Sequence, residues 1–205
     1  MGRLKEWRKE ISSHKRLIAI SIVFLAIAIF LNYKAGEYIE KKTVTPVSDA
    51  ILDYIPTINL SFLFYYGMAL VIALLFIYPL FFKVKELHVV ISQFSLLIMI
   101  RSFFVSLTHL GTPIGAVLAK TSTFWNFFDP QNALFFSGHT SWSFLGFLLF
   151  RKEKIGILFL ISTIVMMATV LFMHVHYSID VFAALFITYG SYQIGNWFFK
   201  KVNNK

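Results

Sequence analysis

Two short strings bring residue types suited to phosphoryl transfer to the ends of apolar runs: Ser137-Gly138-His139-Thr140 and His174-Val175-His176-Tyr177-Ser178-Ile179-Asp180. His176 and Asp180 are four residues apart, so on a helix they would share one face. A carboxylate one turn from an imidazole accepts its Nδ1–H, fixes the tautomer and leaves Nε2 as a more basic lone pair. Such a nitrogen can attack phosphorus. In the first string Ser137 is suited to cap a helix, Gly138 lets a ligand approach the backbone, and the amides of a helix start suit a phosphate. His139, projecting from that cradle, would protonate a leaving oxygen and then deprotonate an acceptor. Each string also has a plainer reading, as a helix cap with an interfacial histidine or as a polar pair closing a helix mouth.

The elements that must position these groups are membrane spans. Hydrophobic residues make up 58% of the 205, charged residues 14%, and the mean hydropathy is +0.71. Soluble domains average roughly 45–50% apolar and about 25% charged. The excess falls into runs near 17–33, 60–82, 87–107, 134–150, 155–173 and 179–199. Each approaches the length of about 20 residues that a helix needs to cross a bilayer. The expected fold is an all-α membrane protein, a six-transmembrane-helix bundle. Residues 17–199 are expected to form the membrane catalytic domain, with a basic N-terminal segment over 1–16 and a basic tail over 200–205. A short apolar run after a basic start also resembles a signal peptide, with Ala26-Ile27-Ala28 as a small-residue site. The run continues through Phe30 and Leu31, which favours an uncleaved first helix.

The net charge of +9 is a topology signal. Arg3, Lys5, Arg8, Lys9, Lys15 and Arg16 precede the first run, Lys83 and Lys85 follow the second, and Arg151, Lys152 and Lys154 follow the fourth. Lys200, Lys201 and Lys205 follow the sixth. All lie on one side, which the positive-inside rule makes cytoplasmic, together with both termini. This pattern argues against nucleic acid as a partner and for anionic lipid as a secondary one. It also puts His139 and the His176–Asp180 pair at similar depth on the exoplasmic face. Without cysteine, no disulfide or thiol chemistry is available.

Arg101 interrupts the third run toward that same face. A charge near a helix centre costs on the order of 2.5–3.5 kcal/mol by insertion scales, so it needs a purpose. Binding phosphate through its forked donors, or supporting the site, is favoured over a plain internal ion pair. Ser137 and Gly138 complete the expected phosphate cradle. His174, Asp129 and Tyr177 are candidates for secondary roles.

These residues resemble the type-2 phosphatidic acid phosphatase superfamily, and within it the sphingomyelin synthase-related branch. The resemblance runs from about Pro46 to the sixth span. The segment 46–56 is similar to the one before that family's second span, and Arg101 with Thr108, Leu110 and Pro113 resembles its third-span pattern. Phe136-Ser137-Gly138-His139-Thr140 matches F-S-G-H-T. His174 to Val181 is similar to H-x-H-Y-T-x-D-V, with Ser178 in place of Thr. The phosphatases' K-x(6)-R-P motif is missing, and Ala168, Thr169 and Val170 stand where their S-R lies.

The resemblance implies a metal-free and cofactor-free triad of His139, His176 and Asp180 on the exoplasmic or lumenal face of a plasma or Golgi-type membrane. It implies transfer of a phospho-head group from a glycerophospholipid to a lipid alcohol such as ceramide, with diacylglycerol released. The rival enzyme reading is a lipid phosphatase or a phospholipase C-type hydrolase with water as acceptor. A transporter or a haem-binding helical bundle is the non-enzymatic rival.

Overall fold

The computed structural model describes residues 2–117 and 133–203. Its secondary structure is helical, with no strand among the described residues beyond one isolated bridge between Thr45 and Leu110. The helices are α1 (Gly2–Glu40), α2 (Met68–Phe82), α3 (Leu87–Leu107), α4 (Gly138–Phe150), α5 (Lys154–Phe172) and α6 (Ser178–Asn203). A π-helical turn over Leu63–Gly67 leads into α2, and a 3-10 turn over Val84–Glu86 leads into α3.

Four helical stretches among the described residues are long and apolar enough to cross a membrane: Lys5–Glu40, Leu63–Phe82, Val84–Leu107 and Lys154–Phe172. The third expected run coincides with α3, and the second and fifth agree closely with the helices found. The other three depart from expectation for local reasons. The first helix begins at Gly2 and ends at Glu40, well beyond residues 17–33 on both sides. Its basic N-terminal part has no Pro to stop it, and Glu37 pairs with Lys34 (2.8 Å) and Lys41 (3.2 Å) to support its last turns. The fourth begins only at Gly138, because Ser137 caps it there. Its 13 residues span about 20 Å at 1.5 Å per residue, short of a hydrocarbon core of about 30 Å. The sixth is long enough, at 26 residues, but its polar residues set it apart from the four most apolar stretches.

Packing explains the arrangement. The long α1 lies along α3, while α4 packs against α5 and α6. The core runs through Phe94, Leu97, Trp142, Leu145 and Phe159, with Trp142 edge-on to Phe94 at 5.4 Å. The α4–α5 hairpin closes tightly because Gly146 has no side chain. A Cβ there would fall 2.3 Å from the Phe159 ring, itself buried and stacked on Phe150 at 5.7 Å. Large apolar side chains such as Ile161, Ile164 and Phe186 face outward from the bundle, as expected of a surface in contact with lipid. Trp7 Nε1 donates to the Leu80 carbonyl at 2.8 Å, pinning the start of α1 to the end of α2.

The Gly146 contact gives a direct test. Replacing Gly146 with Leu should destabilise the detergent-solubilised protein by about 1–3 kcal/mol, the usual cost of overfilling a close-packed core. Thermal unfolding should show a lowered midpoint, and pairing the change with Phe159→Ala should recover part of the loss.

Candidate active site

The site is built where the segment before α4 meets the first turn of α6. Ser137 takes a cap conformation (φ −57°, ψ 117°), and its Oγ accepts the Thr140 N–H at 3.4 Å. Its own N–H donates to the Asp180 carbonyl at 3.1 Å. That single backbone bond joins the two motifs: His139 follows Ser137 by two residues, and Asp180 carries the side chain that faces His176. The amides of Ser137 and Thr140 are therefore engaged inside the protein, which narrows the phosphate cradle expected at this helix start.

His176 does not lie on the helix. It belongs to the bend that precedes α6, so the shared helical face expected from its spacing is absent. The pair still forms, with His176 Nδ1 3.6 Å from Asp180 Oδ2. The carboxylate reaches back because Asp180 is the third residue of α6 and its Oδ2 accepts the Tyr177 N–H at 2.9 Å. This is half of a capping box, in which the third helical residue satisfies the cap amide. One oxygen thus caps the helix and faces the imidazole. Asp180 is fully buried and His176 nearly so. Their separation is longer than a hydrogen bond.

His139 is buried at the start of α4 and stacks on Phe64, ring centroids 3.9 Å apart. Its Nε2 lies 3.3 Å from the Phe64 carbonyl. A carbonyl only accepts, so Nε2–H is the donor in that contact. The π-helical turn before α2 thus offers this histidine both a ring to stack on and a carbonyl to donate to.

Arg101 is fully buried beneath the start of α4. Its Nη2 donates to the Ala133 carbonyl at 2.6 Å, Nε to the Phe136 carbonyl at 3.0 Å and Nη1 to Asn32 Oδ1 at 3.3 Å. These bonds hold the chain that delivers Ser137, Gly138 and His139. The guanidinium supports the site from below. Its partner Asn32 sits at the C-terminal end of an apolar run, where residue type alone gives no sign of the role.

Asp49 is a second residue that local sequence does not mark, although it lies in the segment 46–56. Its Oδ2 accepts the Ser178 N–H at 2.8 Å and the Ser178 Oγ–H at 2.9 Å, while Oδ1 accepts the amides of Ile51 and Leu52. It therefore anchors the 46–56 segment to the start of α6. Burial alone would raise its carboxyl, but the bonds from Ile51, Leu52 and Ser178 outweigh that and hold it below the ordinary value.

Tyr177 is buried and ties three segments together. Its hydroxyl donates to the Gly111 carbonyl at 2.7 Å and accepts the Val47 N–H at 3.0 Å. A Cβ on Gly111 would fall 2.7 Å from the backbone at Thr45, so only glycine permits that approach. His174 turns the chain into the bend with a φ of 54°. Its Nδ1 lies 3.4 Å from the Ile114 carbonyl, and its ring borders a pocket shared with Pro46, Asp49 and Pro113. Among the described residues neither side chain hydrogen-bonds to His139 or to the His176–Asp180 pair. Asp129 lies outside the described residues.

No family model and no curated protein matches this chain.

Two changes test the supports. Tyr177→Phe removes a hydroxyl that makes one buried and one half-buried bond and should cost about 1–3 kcal/mol in thermal or denaturant unfolding. Asp49→Asn cannot accept at both oxygens and should cost a similar amount at pH 7. Because folding depresses the Asp49 carboxyl, its contribution is complete above the ordinary carboxyl pKa of about 3.9 and fades as pH falls through the lower folded value. The gap between native and variant stability should therefore narrow below about pH 4.

Proposed function

We propose that this protein is a membrane enzyme that moves a phospho-head group from a glycerophospholipid to a lipid alcohol such as ceramide. The observation that carries this reading is the Ser137-to-Asp180 backbone bond, which gathers His139, His176 and Asp180 at one buried end of an apolar helical bundle. A buried imidazole paired with a buried carboxylate, and a second buried imidazole two residues from the backbone bond to Asp180, are costly to keep and suit acid–base and nucleophilic chemistry. The resemblance of F-S-G-H-T and of the stretch from His174 to Val181 to the sphingomyelin synthase-related branch points the same way.

In the proposed mechanism Asp180 orients His176 through Nδ1, and His176 Nε2 attacks phosphorus. The bond from phosphorus to the diacylglycerol oxygen breaks, and protonated His139 gives its proton to that oxygen. The head group is left on His176 as a phosphoramidate. His139, now neutral, takes the proton of the acceptor hydroxyl as that oxygen attacks phosphorus. The nitrogen–phosphorus bond breaks and His176 is restored. Arg101 acts from beneath by fixing the backbone at Ala133 and Phe136, and its buried charge adds a favourable potential for the phosphorane.

The reading also takes α4 and α6 as spans, completing six, with both termini cytoplasmic according to the distribution of lysine and arginine. The helix α4 would cross together with the extended residues before it. The chemistry then faces the exoplasmic or lumenal side, and the lipid arrives sideways from that leaflet.

The test is one incubation of purified protein with mixed phospholipids, labelled ceramide and labelled diacylglycerol. Production of a phospho-head-group ceramide together with diacylglycerol is expected. His139→Ala and His176→Ala should each lower the rate by about 10²–10⁴, the usual worth of a positioned acid or base. Asp180→Asn should also lower it by disturbing the orientation of His176. Release of free phosphate or of a soluble phospho-head group, with no lipid acceptor consumed, would assign hydrolysis instead. Full activity in the His176 and Asp180 variants would rule out the assigned roles.

A further inference from the structure

An apolar cleft of about 330 Å³ opens between α1 and α2 and is floored by α3 and α4. Its walls include Leu25 and Ile29 from α1 and Ala69 and Ala73 from α2, with Ile98 and Trp142 beneath. The helix α1 packs mainly on α3 and is joined to α2 at Trp7 and Leu80, and the alanines of α2 keep the wall of the cleft low. Seven residues of rise from Ala69 to Phe76 give the cleft a length of roughly 10 Å.

One end of this cleft reaches the candidate site. Asn32 lines it and accepts from Arg101, and Trp142 lies one turn below Gly138 on α4. A Cβ on Gly138 would lie 3.5 Å from Arg101 Nε and 3.6 Å from Trp142 Cε2, the ring carbon bonded to Nε1. The nearest indole atom is Cζ2, at 3.5 Å, so the side of the ring formed by Cζ2 and Cε2, next to Nε1, lies beside the start of α4. Trp142 is 3% exposed, and its Nε1 has no hydrogen-bond partner among the described residues. A buried indole N–H without an acceptor is expensive, and tryptophan in a core normally finds one.

A ligand that fits has hydrocarbon along the cleft and a carbonyl acceptor at its polar end, about one helical turn below the phosphate site. We propose that the cleft holds the head-proximal part of one acyl chain of a membrane lipid, with Trp142 Nε1 donating to the ester or amide carbonyl of that chain. The proposal rests on the phospholipid reading of the site and adds to it where the lipid lies. The α1–α2 gap is the lateral entrance, and the carbonyl contact sets how far the lipid rises, so that phosphorus reaches His176.

The test uses the full chain in phosphatidylcholine nanodiscs doped with a phosphatidylcholine that carries a diazirine midway along one acyl chain. After irradiation, adducts are mapped by mass spectrometry. Adducts should concentrate on 25–32 and 69–76 and fall when undoped diacylglycerol is added as competitor. Those on outward-facing Ile161 and Ile164 should not fall. Trp142→Phe keeps an aromatic ring and should reduce cleft labelling about fivefold, the worth of one hydrogen bond. Ala73→Trp should block labelling while leaving the outer adducts as an internal control for folding.

Labelling that merely follows outward exposure, or cleft adducts insensitive to competitor, would overturn the proposal. Cleft adducts unchanged in Trp142→Phe would overturn the carbonyl contact. His176→Ala should keep the labelling. Labelling in a protein that transfers no head group would leave the cleft assignment standing and defeat the reading of the reaction, so the two failures are distinguishable.

Discussion

A positive charge withdrawn from water must be met by oxygens of the protein, and the architecture around Arg101 is organised by that need. A buried ion left short of partners costs several kcal/mol, so the geometry that satisfies it is strongly selected. Arg101 is satisfied by the carbonyls of Ala133 and Phe136 and by the Asn32 amide. Those partners come from the chain entering α4 and from α1. The guanidinium therefore decides where α4 begins and draws α1 against α3. With Phe136 fixed, Ser137 caps α4, turns its amide to Asp180 and brings the two histidine motifs to one place.

The start of α6 is the other fixed point, and carboxylates hold it twice. Asp180 reaches back to Tyr177 N–H from within the helix, and Asp49 reaches across from a distant loop to Ser178. Tyr177 adds a hydroxyl that joins the segments at Val47 and Gly111. The bend carrying His174 and His176 is thereby set without regular secondary structure. Capping, backbone clamping and a buried cation all act on the same few residues. They convert a flexible approach to two helices into a fixed arrangement of titratable groups.

The helices are legible in the sequence wherever an apolar run ends at a clear signal. The run at 87–107 becomes α3 because charged residues stop it on one side and Thr108 on the other. Where a run lacks such stops, its edges move. Polar residues that continue the helix carry α1 out to Gly2 and Glu40, and the cap at Ser137 cuts α4 short although Leu134, Phe135 and Phe136 are as apolar as the helix itself. In the site, Ser137 as a cap and the proximity of His176 to Asp180 are readable from residue types. The reason for that proximity is not. The spacing of four suggests one helical face, whereas the carboxylate arrives by capping the helix from its third position. Asn32 and Asp49 are invisible at that level because each acts across the fold, on a partner far away in the chain. Hydropathy and local spacing carry no record of such pairings.

In the proposed reaction His176 carries the head group between donor and acceptor. Rapid quenching of the protein with a phospholipid radiolabelled at phosphorus, followed by mapping of any label left on the chain, probes that role. A phosphorylated histidine should give a label that acid removes and alkali preserves, as expected of a nitrogen–phosphorus bond. The label should map to His176, vanish in His176→Ala and discharge when a lipid alcohol is added. Head-group transfer that proceeds at full rate in His176→Ala, or a label that maps to another residue, would contradict it.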